Sequence, residues 1–390
     1  MRILIISDSF MPEGNAAAVH MTELQKYYDE LGIETIVATS ACGRLDLGRK
    51  KLKKLIQAPN PWKRSNAYFL RTFGEIWAAI AIGIKIRFSI ECRKAERVVV
   101  YSPSIFWSLS LRIAKLSSDK VRLIVRDIFP LWLLNAGLLQ KSALSYKLLN
   151  WVAALQFKST DRIYVQSSSD EQLIRKEYST SGKQFYLLQT WMSKSSYKIT
   201  SDTAKYIDPA KTNVLWLGNM GVAQNRDFVI SVIAKILEIG TSVKFNIVGV
   251  KAHDRDVLKG ILDKLDEHQR KCLEIIDYLT HEECAQLAIR SDVGMFSVGK
   301  QTTDGNVPGK FVTYVMAGLP VFGLCPEKST ISSIVLNNEI GQCCSDENIE
   351  SVVEKFTETI AGLKDLKNSN EYFIQNHSID YATTMLMEGK

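Results

Sequence analysis

Short apolar runs alternate with longer amphipathic segments along the whole chain. Runs typical of buried strands occur in the first half at residues 3–6, 34–39, 97–101, 121–125 and 162–165. Between them, apolar residues recur at helical spacing, as in the segment that follows the first run and in a long segment at about residues 142–159. Strands separated by helices predict a parallel sheet with right-handed crossovers, which is the α/β class.

The second half of the chain repeats this pattern. Strands are predicted at residues 214–217, 243–248, 273–276, 293–296, 320–323 and 341–343, with helices between them, for example at 227–239 and 282–290. The simplest description is two Rossmann-like domains, residues 1–190 and 205–369, separated by a polar stretch rich in Ser, Thr and Lys. A last helical segment covers about residues 370–390.

Length and composition agree with this division. A chain of 390 residues suits two domains of nearly equal size, and a hydrophobic content of 46% argues against disorder. The seven cysteines form no CxxC pair and no metal-ligand spacing, which favours reduced thiols in a cytoplasmic protein. No secretory signal is predicted, and the uncharged apolar run at residues 76–84 is much shorter than the ~20 residues that span a bilayer.

Positive charge is concentrated in one segment. The formal net charge is +7, and residues 47–74 contain no Asp or Glu but eight Lys and Arg between 49 and 71. We expect such a segment to bind phosphate groups, either of lipid head groups, of nucleic acid or of a phosphorylated substrate. Apolar residues and Trp62 lie among the charges, which favours a helix on a membrane surface; a solvated loop followed by a buried helix is the alternative. No nucleic-acid-binding motif accompanies the charge, so nucleic acid is not expected as a partner.

Two glycine-containing turns carry the most informative chemistry. One is Gly218-Asn219-Met220-Gly221, and the other runs from Asp304 through Gly305 and Asn306 to Lys310. Each follows a predicted strand and precedes a helix, so each presents backbone N–H groups at the carboxyl edge of the sheet. Lys310 adds a full positive charge there. The pair of turns predicts a diphosphate site; the alternative is an ordinary turn and a solvated lysine.

These residues resemble the donor-binding signature of family 4 glycosyltransferases. The resemblance covers residues 304–311 and the segment Ala317-Gly318-Leu319-Pro320-Val321. It implies the GT-B fold, in which two Rossmann-like domains face an interdomain cleft and the last helix packs back on the first domain. It also implies transfer with retention at the anomeric carbon from a nucleotide-sugar, for which a UDP-linked donor is expected. Lys310 would bind the donor phosphates and stabilise the leaving diphosphate, without a metal or other cofactor.

A second resemblance concerns the turn at Gly218 and Gly221. The segment 216–225 is similar to a bacterial branch that builds surface polysaccharides such as O-antigen and capsule. Its equivalent loop reaches the donor phosphates, and Arg226 is the candidate for a second phosphate-binding cation. Family members commonly carry two glutamates that correspond to Gly305 and Thr313, so these carboxylates are missing. The donor sugar and nucleotide contacts are still predicted at Asp304, Gly305, Asn306 and Thr313 and, for the base, at Leu279.

The first domain has two candidate positions for the acceptor. Asp127 follows a predicted strand and begins an Asp-Ile-Phe-Pro sequence that the same branch shares. It is expected to accept or orient the proton of the acceptor hydroxyl; pairing with Arg126, or a helix cap, is the alternative. Gly14 and Asn15 form the predicted acceptor loop, for which an ordinary N-cap at Asn15 is the alternative. His20 is expected to be structural.

The sequence therefore predicts a retaining glycosyltransferase of surface-glycan biosynthesis. The resemblance implies a glycan or polyprenyl-diphosphate-linked acceptor and a peripheral location on the inner face of the cytoplasmic membrane, through residues 49–71. Two alternatives stay open. One is a sugar-nucleotide epimerase of the same fold, and the other is a non-catalytic partner of a transferase.

Overall fold

A computed structural model describes most of the chain. The described residues are 1–13, 15–41, 52–63, 67–102, 104–135, 137, 139–193, 203–221, 224–240, 242–262, 265–299, 307–363, 366 and 368–389. They form two compact units. Unit 1 is Met1–Gln189 with Ile379–Lys390, and unit 2 is Thr190–Ser378.

Unit 1 is built on a parallel sheet of seven described strands. These are β1 Arg2–Ser7, β2 Glu34–Thr39, β3 Leu52–Gln57, β4 Arg97–Tyr101, β5 Val121–Ile124, β6 Arg162–Val165 and β7 Gln184–Leu187. Their order across the sheet is β3-β2-β1-β4-β5-β6-β7. Residues Ile3 to Ile6, the first apolar run of the chain, are fully buried because helices cover both faces of a parallel sheet.

The helices of unit 1 follow the strands in alternation. They are α1 Ala16–Glu30, α2 Tyr68–Phe88, α3 Ile90–Arg93, α4 Trp107–Ala114, α5 Leu131–Asn135, α6 Leu144–Lys158 and α7 Ser168–Glu177. One or two helices follow the carboxyl end of most strands and lead the chain back to the start of the next. Side chains that bind substrates are therefore expected on the segments just after β1, β4 and β5.

Unit 2 contains a second parallel sheet, of six described strands. These are β8 Thr212–Leu217, β9 Val243–Val248, β10 Leu273–Ile276, β11 Val293–Ser297, β12 Val321–Leu324 and β13 Gly341–Cys344, in the order β10-β9-β8-β11-β12-β13. Its helices are α8 Arg226–Glu238, α9 Ala252–Leu262, α10 Glu267–Arg270, α11 His281–Arg290, α12 Gly309–Met316, α13 Thr330–Asn337, α14 Ile349–Ala361 and α15 Ser369–Asn376. A final helix, α16 Ile379–Glu388, belongs to unit 1.

The sheet of unit 2 has an apolar core on each face. β8 shows how one strand supplies both: Val214 and Trp216 are buried in one core, and Leu215 and Leu217 are buried in the other. Successive side chains of a strand point to opposite faces, so a continuous apolar run is what a sheet covered on both sides requires.

Most predicted strands are confirmed, within about two residues at their ends. The strands β3 and β7 were not predicted. The interpretation of the basic segment as helix, or as loop followed by helix, is wrong at Leu52–Gln57, which forms β3; residues 49–51 and 64–66 lie outside the described part. The single predicted C-terminal helix is two helices, α15 and α16, in different units.

Within the described residues, we find no helix whose length and hydropathy would let it cross a lipid bilayer.

Candidate functional site

Two glycines in the left-handed backbone region lie side by side at the carboxyl edge of unit 2's sheet. Gly218 follows β8 with φ +73°, and Gly249 follows β9 with φ +75°. The Gly218 N–H donates to the Val248 carbonyl at 2.8 Å, and a Cβ on Gly249 would lie 3.8 Å from the Gly218 Cα. Because L side chains are strained at such φ values, this edge is kept free of side chains, which allows a ligand to approach the backbone.

The rest of the first turn is already partly hydrogen-bonded. The N–H of Gly221 donates to the Gln224 side-chain oxygen at 3.0 Å, so it is not free in this structure. Gly218 and Asn219 are exposed, whereas Met220 is buried and anchors the turn in the core. Residues 222 and 223 lie outside the described part.

Lys310 projects from the first turn of α12 toward this glycine turn. Its Nζ lies 3.8 Å from the centroid of the Trp216 ring and donates to the Asn219 carbonyl at 3.3 Å. Among the described residues, no carboxylate pairs with this ammonium. Burial lowers the pKa of Lys310 from its ordinary 10.5 to about 7. A cation that is desolvated but unpaired gains most from an anion that arrives beside it.

A buried tyrosine fixes the helix that carries Lys310. The Tyr314 hydroxyl donates to the Met295 carbonyl at 3.0 Å and accepts from the Leu217 N–H at 2.9 Å. Its ring lies directly on Gly294, where a Cβ would come within 2.3 Å of the ring. Tyr314 is one helical turn after Lys310, so α12 is held to both β8 and β11 at the level of the ammonium.

Arg226, the predicted second phosphate contact, is engaged with two carboxylates. It begins α8, and its guanidinium contacts Asp227 at 2.8 Å and Asp254 at 2.9 Å. These hydrogen bonds raise its pKa. Its charge is balanced by these two acids, whereas Lys310 has no acidic partner in the part of the chain that the structure describes. Of the two predicted cations, Lys310 therefore has the stronger electrostatic reason to take an external anion.

The other predicted donor contacts are less open. Thr313 is buried, and its hydroxyl contacts the Met192 sulfur at 3.8 Å and the Gly309 carbonyl at 3.5 Å. Leu279 is partly buried in the unit 2 core, next to the capping box with which Thr280 and Glu283 start α11. Asp304, Gly305, Asn306 and the acceptor-loop residue Gly14 lie outside the described residues.

At the carboxyl edge of unit 1's sheet, Asp127 stands apart from its neighbour Arg126. The Arg126 guanidinium donates to the carbonyls of Leu188 and Gln189, at 3.1 and 3.2 Å, and lies 5.7 Å from the Tyr101 ring. Asp127 is exposed, but the protein around it removes enough water to raise the pKa of its carboxyl, an effect that Arg126 opposes. The side chains of Arg126 and Asp127 do not form the direct ion pair that the alternative interpretation predicted.

Asn15 and His20 have structural partners. The Asn15 side chain accepts from the Ala18 N–H at 2.8 Å, which is the N-cap that the alternative interpretation predicted, and it also donates to Ser9 at 3.1 Å. His20 is buried with Nδ1 3.2 Å from the Tyr101 hydroxyl. These contacts hold the start of α1 against the end of β1.

Charged side chains that the sequence did not bring together meet at the segment after β1. Lys63 donates to the Asp8 carbonyl at 2.6 Å, the Ser9 hydroxyl at 3.1 Å and the Glu13 carboxylate at 2.7 Å. One carboxyl oxygen of Asp8 is buried and has no hydrogen-bond partner in the described part of the chain. Burial raises the pKa of Asp8, and also that of Glu75, whose carboxyl accepts from Ser104. Asp8 and Glu75 are thus weaker acids than ordinary carboxyl groups. Asp8 follows β1, so it lies at the same carboxyl edge of the sheet as Asp127.

Within the described residues, no three His, Cys, Asp or Glu side chains gather as a metal-ligand set.

Comparison with known proteins identifies the architecture. No family model matches the chain. Among solved structures, a glycosyltransferase from Rickettsia africae superimposes with a TM-score of 0.68 at 14% identity, and the match covers 100% of this chain and 99% of that one. WaaG, a glycosyltransferase of lipopolysaccharide biosynthesis, gives 0.61 at 12% identity, covering 99% and 100%. The fold is GT-B.

One further solved structure and one curated relative extend the comparison. HepE from Anabaena, solved in complex with UDP and glucose, shares the GT-B architecture with a TM-score of 0.66 at 12% identity, covering 100% of this chain and 99% of that one. A curated relative, the probable glycosyltransferase WbjE of Pseudomonas aeruginosa, is 23% identical over 297 residues, which is 73% of this chain and 70% of WbjE. Together these matches support a glycosyltransferase of the GT-B type.

In this GT-B chain, the sequence indicated Lys310 but not the residues that set its environment. Trp216 lies two positions before the glycine turn, on a strand, and Tyr314 lies four positions after Lys310, on a helix. Both spacings place side chains on the same face as the turn or the lysine. Those spacings were the available signal, but apolar and aromatic residues there are also typical of an ordinary core.

Proposed function

We propose that this protein is a retaining glycosyltransferase that moves a sugar from a UDP-linked donor to a glycan or lipid-linked acceptor. The observation that carries the proposal is the desolvated ammonium of Lys310, which has no carboxylate partner among the described residues and is held over Trp216 beside the left-handed Gly218. The likeness to WbjE, and the UDP bound to HepE, support the choice of reaction and of nucleotide.

Charge supplies the catalytic effect in this scheme. As the glycosidic bond of the donor breaks, negative charge grows on the departing diphosphate. Lys310 lies where it would neutralise that charge, and its desolvation makes the interaction stronger than it would be in water. The exposed backbone at Gly218 and Asn219 completes the phosphate site.

On the acceptor side, we propose that the Asp127 carboxylate accepts or orients the proton of the attacking hydroxyl. A carboxyl whose pKa is raised binds a proton more strongly than an ordinary aspartate, which favours this role. Gly14 and Asn15 are proposed to border the acceptor, and Asp304 and Asn306 to contact the donor sugar.

The test is UDP release by the purified chain from a panel of UDP-sugars, with and without candidate lipid-linked acceptors. We expect acceptor-dependent release that falls by at least 100-fold in Lys310→Ala, with unchanged folding by circular dichroism. Nuclear magnetic resonance of the product should show the anomeric configuration of the donor.

Other outcomes would contradict the assignment. Conversion of the donor without any acceptor would indicate an epimerase. UDP-sugar binding without turnover under all conditions would indicate a non-catalytic partner. Near-normal turnover in Lys310→Ala would remove the proposed role of the ammonium.

A further inference from the structure

Helix α2 presents its largest apolar side chains to solvent. Six of them lie on one stripe at spacings of three or four residues: Phe69 (73% exposed), Phe73 (56%), Trp77 (56%), Ile80 (36%), Ile84 (46%) and Phe88 (82%). The buried side of the same helix combines four small residues, Gly74, Ala78, Ala79 and Gly83, with Ile82 and Ile86. An ordinary amphipathic helix keeps such a row of aromatic and aliphatic side chains out of solvent, whereas α2 exposes a second apolar face.

The orientation of α2 is fixed by close packing against α4. A Cβ on Gly83 would come within 2.9 Å of the Ser110 Cα, and the Ser110 hydroxyl donates to the Ala79 carbonyl at 2.6 Å. Only small residues allow the two helices to approach this closely. The exposed stripe is therefore a property of the folded unit, because rotating α2 to bury it would drive large side chains into α4.

Helix α6 carries a second stripe of the same kind. Leu144 (82% exposed), Leu148 (60%) and Trp151 (57%) are spaced by four and three residues, while Tyr146, Val152 and Phe157 face the core. Helix α4 packs against both α2 and α6. We call these nine exposed side chains of α2 and α6 the apolar surface of unit 1. Single exposed apolar residues are normal, whereas a row of six along one face of α2 marks an interaction site, to which the three residues of α6 add.

The charges around this surface are mostly positive. Arg71, Lys85 and Arg87 lie on α2, and Lys147 and Lys158 lie on α6. Lys141, just before α6, is paired with Glu177 at 3.6 Å and adds no net charge. The sequence has no Asp or Glu between Asp127 and Asp161. The one acid within α2, Glu75, accepts a hydrogen bond from Ser104, and burial raises its pKa. A partner that fits must be apolar at its centre and negative at its rim.

We propose that the apolar surface of unit 1 docks on an anionic lipid bilayer. Aromatic and aliphatic side chains would enter the interface while the Lys and Arg groups meet lipid phosphates. With 21 residues, α2 is about 30 Å long and would lie along the membrane plane. A second copy of the chain fits less well, since a two-fold interface would bring two basic rims together.

This inference does not rest on the proposed function, because lipid binding is measured without donor or acceptor. The experiment is flotation of the full chain with protein-free vesicles of phosphatidylcholine, alone or with about one third phosphatidylglycerol. We expect binding to the anionic vesicles that weakens as salt is added. The variant Phe73→Ser/Trp77→Ser/Ile84→Ser should lose at least 10-fold in partitioning, and Arg87→Glu/Lys147→Glu should lose the preference for anionic lipid.

A matched control tests whether exposure alone matters. The variant Ile239→Ser/Ile289→Ser/Leu336→Ser removes three exposed apolar side chains of unit 2 and should bind vesicles as the wild type does. Thermal unfolding confirms that each variant is folded. Unchanged binding by the α2 variant, or no binding of the wild type to protein-free vesicles, would overturn the proposal.

Two results would name a different occupant and would equally overturn it. Binding to native membranes but not to protein-free vesicles would indicate a membrane protein as partner. A wild-type dimer in sedimentation that becomes a monomer in the α2 variant would indicate a second copy.

Discussion

The depressed pKa of Lys310 makes nucleotide binding depend on pH in a way that can be calculated. Free Lys310 has a pKa of about 7, and a bound diphosphate should restore its ordinary value. Only the charged form binds the anion well, so above neutral pH binding must be accompanied by uptake of a proton. Affinity then falls by about tenfold for each further pH unit, since one pKa unit corresponds to 1.36 kcal/mol.

Between pH 7.5 and 9.0 this amounts to a loss of about 25-fold in the affinity for UDP, as the charged fraction of Lys310 decreases from about one quarter to about one hundredth. The phosphates of UDP are largely ionised throughout this range and contribute little. Isothermal titration calorimetry at pH 8.5 in two buffers of different ionisation enthalpy measures the proton directly. We expect nearly one proton taken up per UDP.

Variants separate this effect from other titrations. Lys310→Arg stays charged and should bind UDP with little dependence on pH. Lys310→Met should bind weakly and without proton uptake, whereas Lys328→Met, which removes an exposed lysine of the same unit, should behave as the wild type does. A flat pH dependence with no proton uptake in the wild-type protein would refute the reasoning about burial and charge at Lys310.

Three further predictions follow from the same contacts. Lys310→Met should stabilise the free protein, because a lysine with a depressed pKa costs stability below pH 7, a cost that disappears as pH rises through 10.5; we expect about 1–3 kcal/mol at pH 6, read from denaturant unfolding. Identical stability of the two proteins at pH 6 would contradict it. Tyr314→Phe leaves the buried Leu217 N–H without its acceptor, and should cost about 1–3 kcal/mol in thermal unfolding together with weaker UDP binding; a loss of neither would show that the hydroxyl does not hold α12. Asp127→Asn should lower kcat/KM at least 100-fold and remove the acid limb of its pH profile, which in the wild type should lie above the ordinary aspartate pKa of 3.8; a surviving acid limb would assign that proton to another group.

The sequence was sufficient for the whole sheet of unit 2 and for the interior of unit 1's sheet, and insufficient at the two edges of unit 1's sheet. The strands β3 and β7 were missed, and they are the two edge strands of unit 1's sheet. The pattern of β7 is exposed at both ends and only half-buried between them, and β3 carries Lys53 and Lys54. Edge strands are covered less completely, so they lack the continuous apolar run that identifies a central strand.

The site shows the same division between local and distant information. Lys310 was predictable because a glycine turn, a lysine and a helix start are adjacent in sequence. One of the two acids that pair with Arg226 is distant: Asp254 lies 28 residues away and reaches Arg226 only once α8 and α9 are packed. Likewise, nothing local links Lys63 to Asp8, which is 55 residues earlier.

The hydrogen bonds from Lys63 to the segment after β1 connect that segment to helix α2. Its neighbour Trp62 packs edge-on against Phe73 of α2, at 5.9 Å between ring centroids. A short series of contacts thus joins Phe73, on the exposed face of α2, through Trp62 and Lys63 to Asp8, Ser9 and Glu13. Holding Trp62 and Phe73 still restricts the segment that Lys63 fastens, and a segment already ordered loses less entropy when it receives a ligand. Contact made by Trp62 and Phe73 is therefore coupled to the order of the segment after β1 through the ammonium group of Lys63.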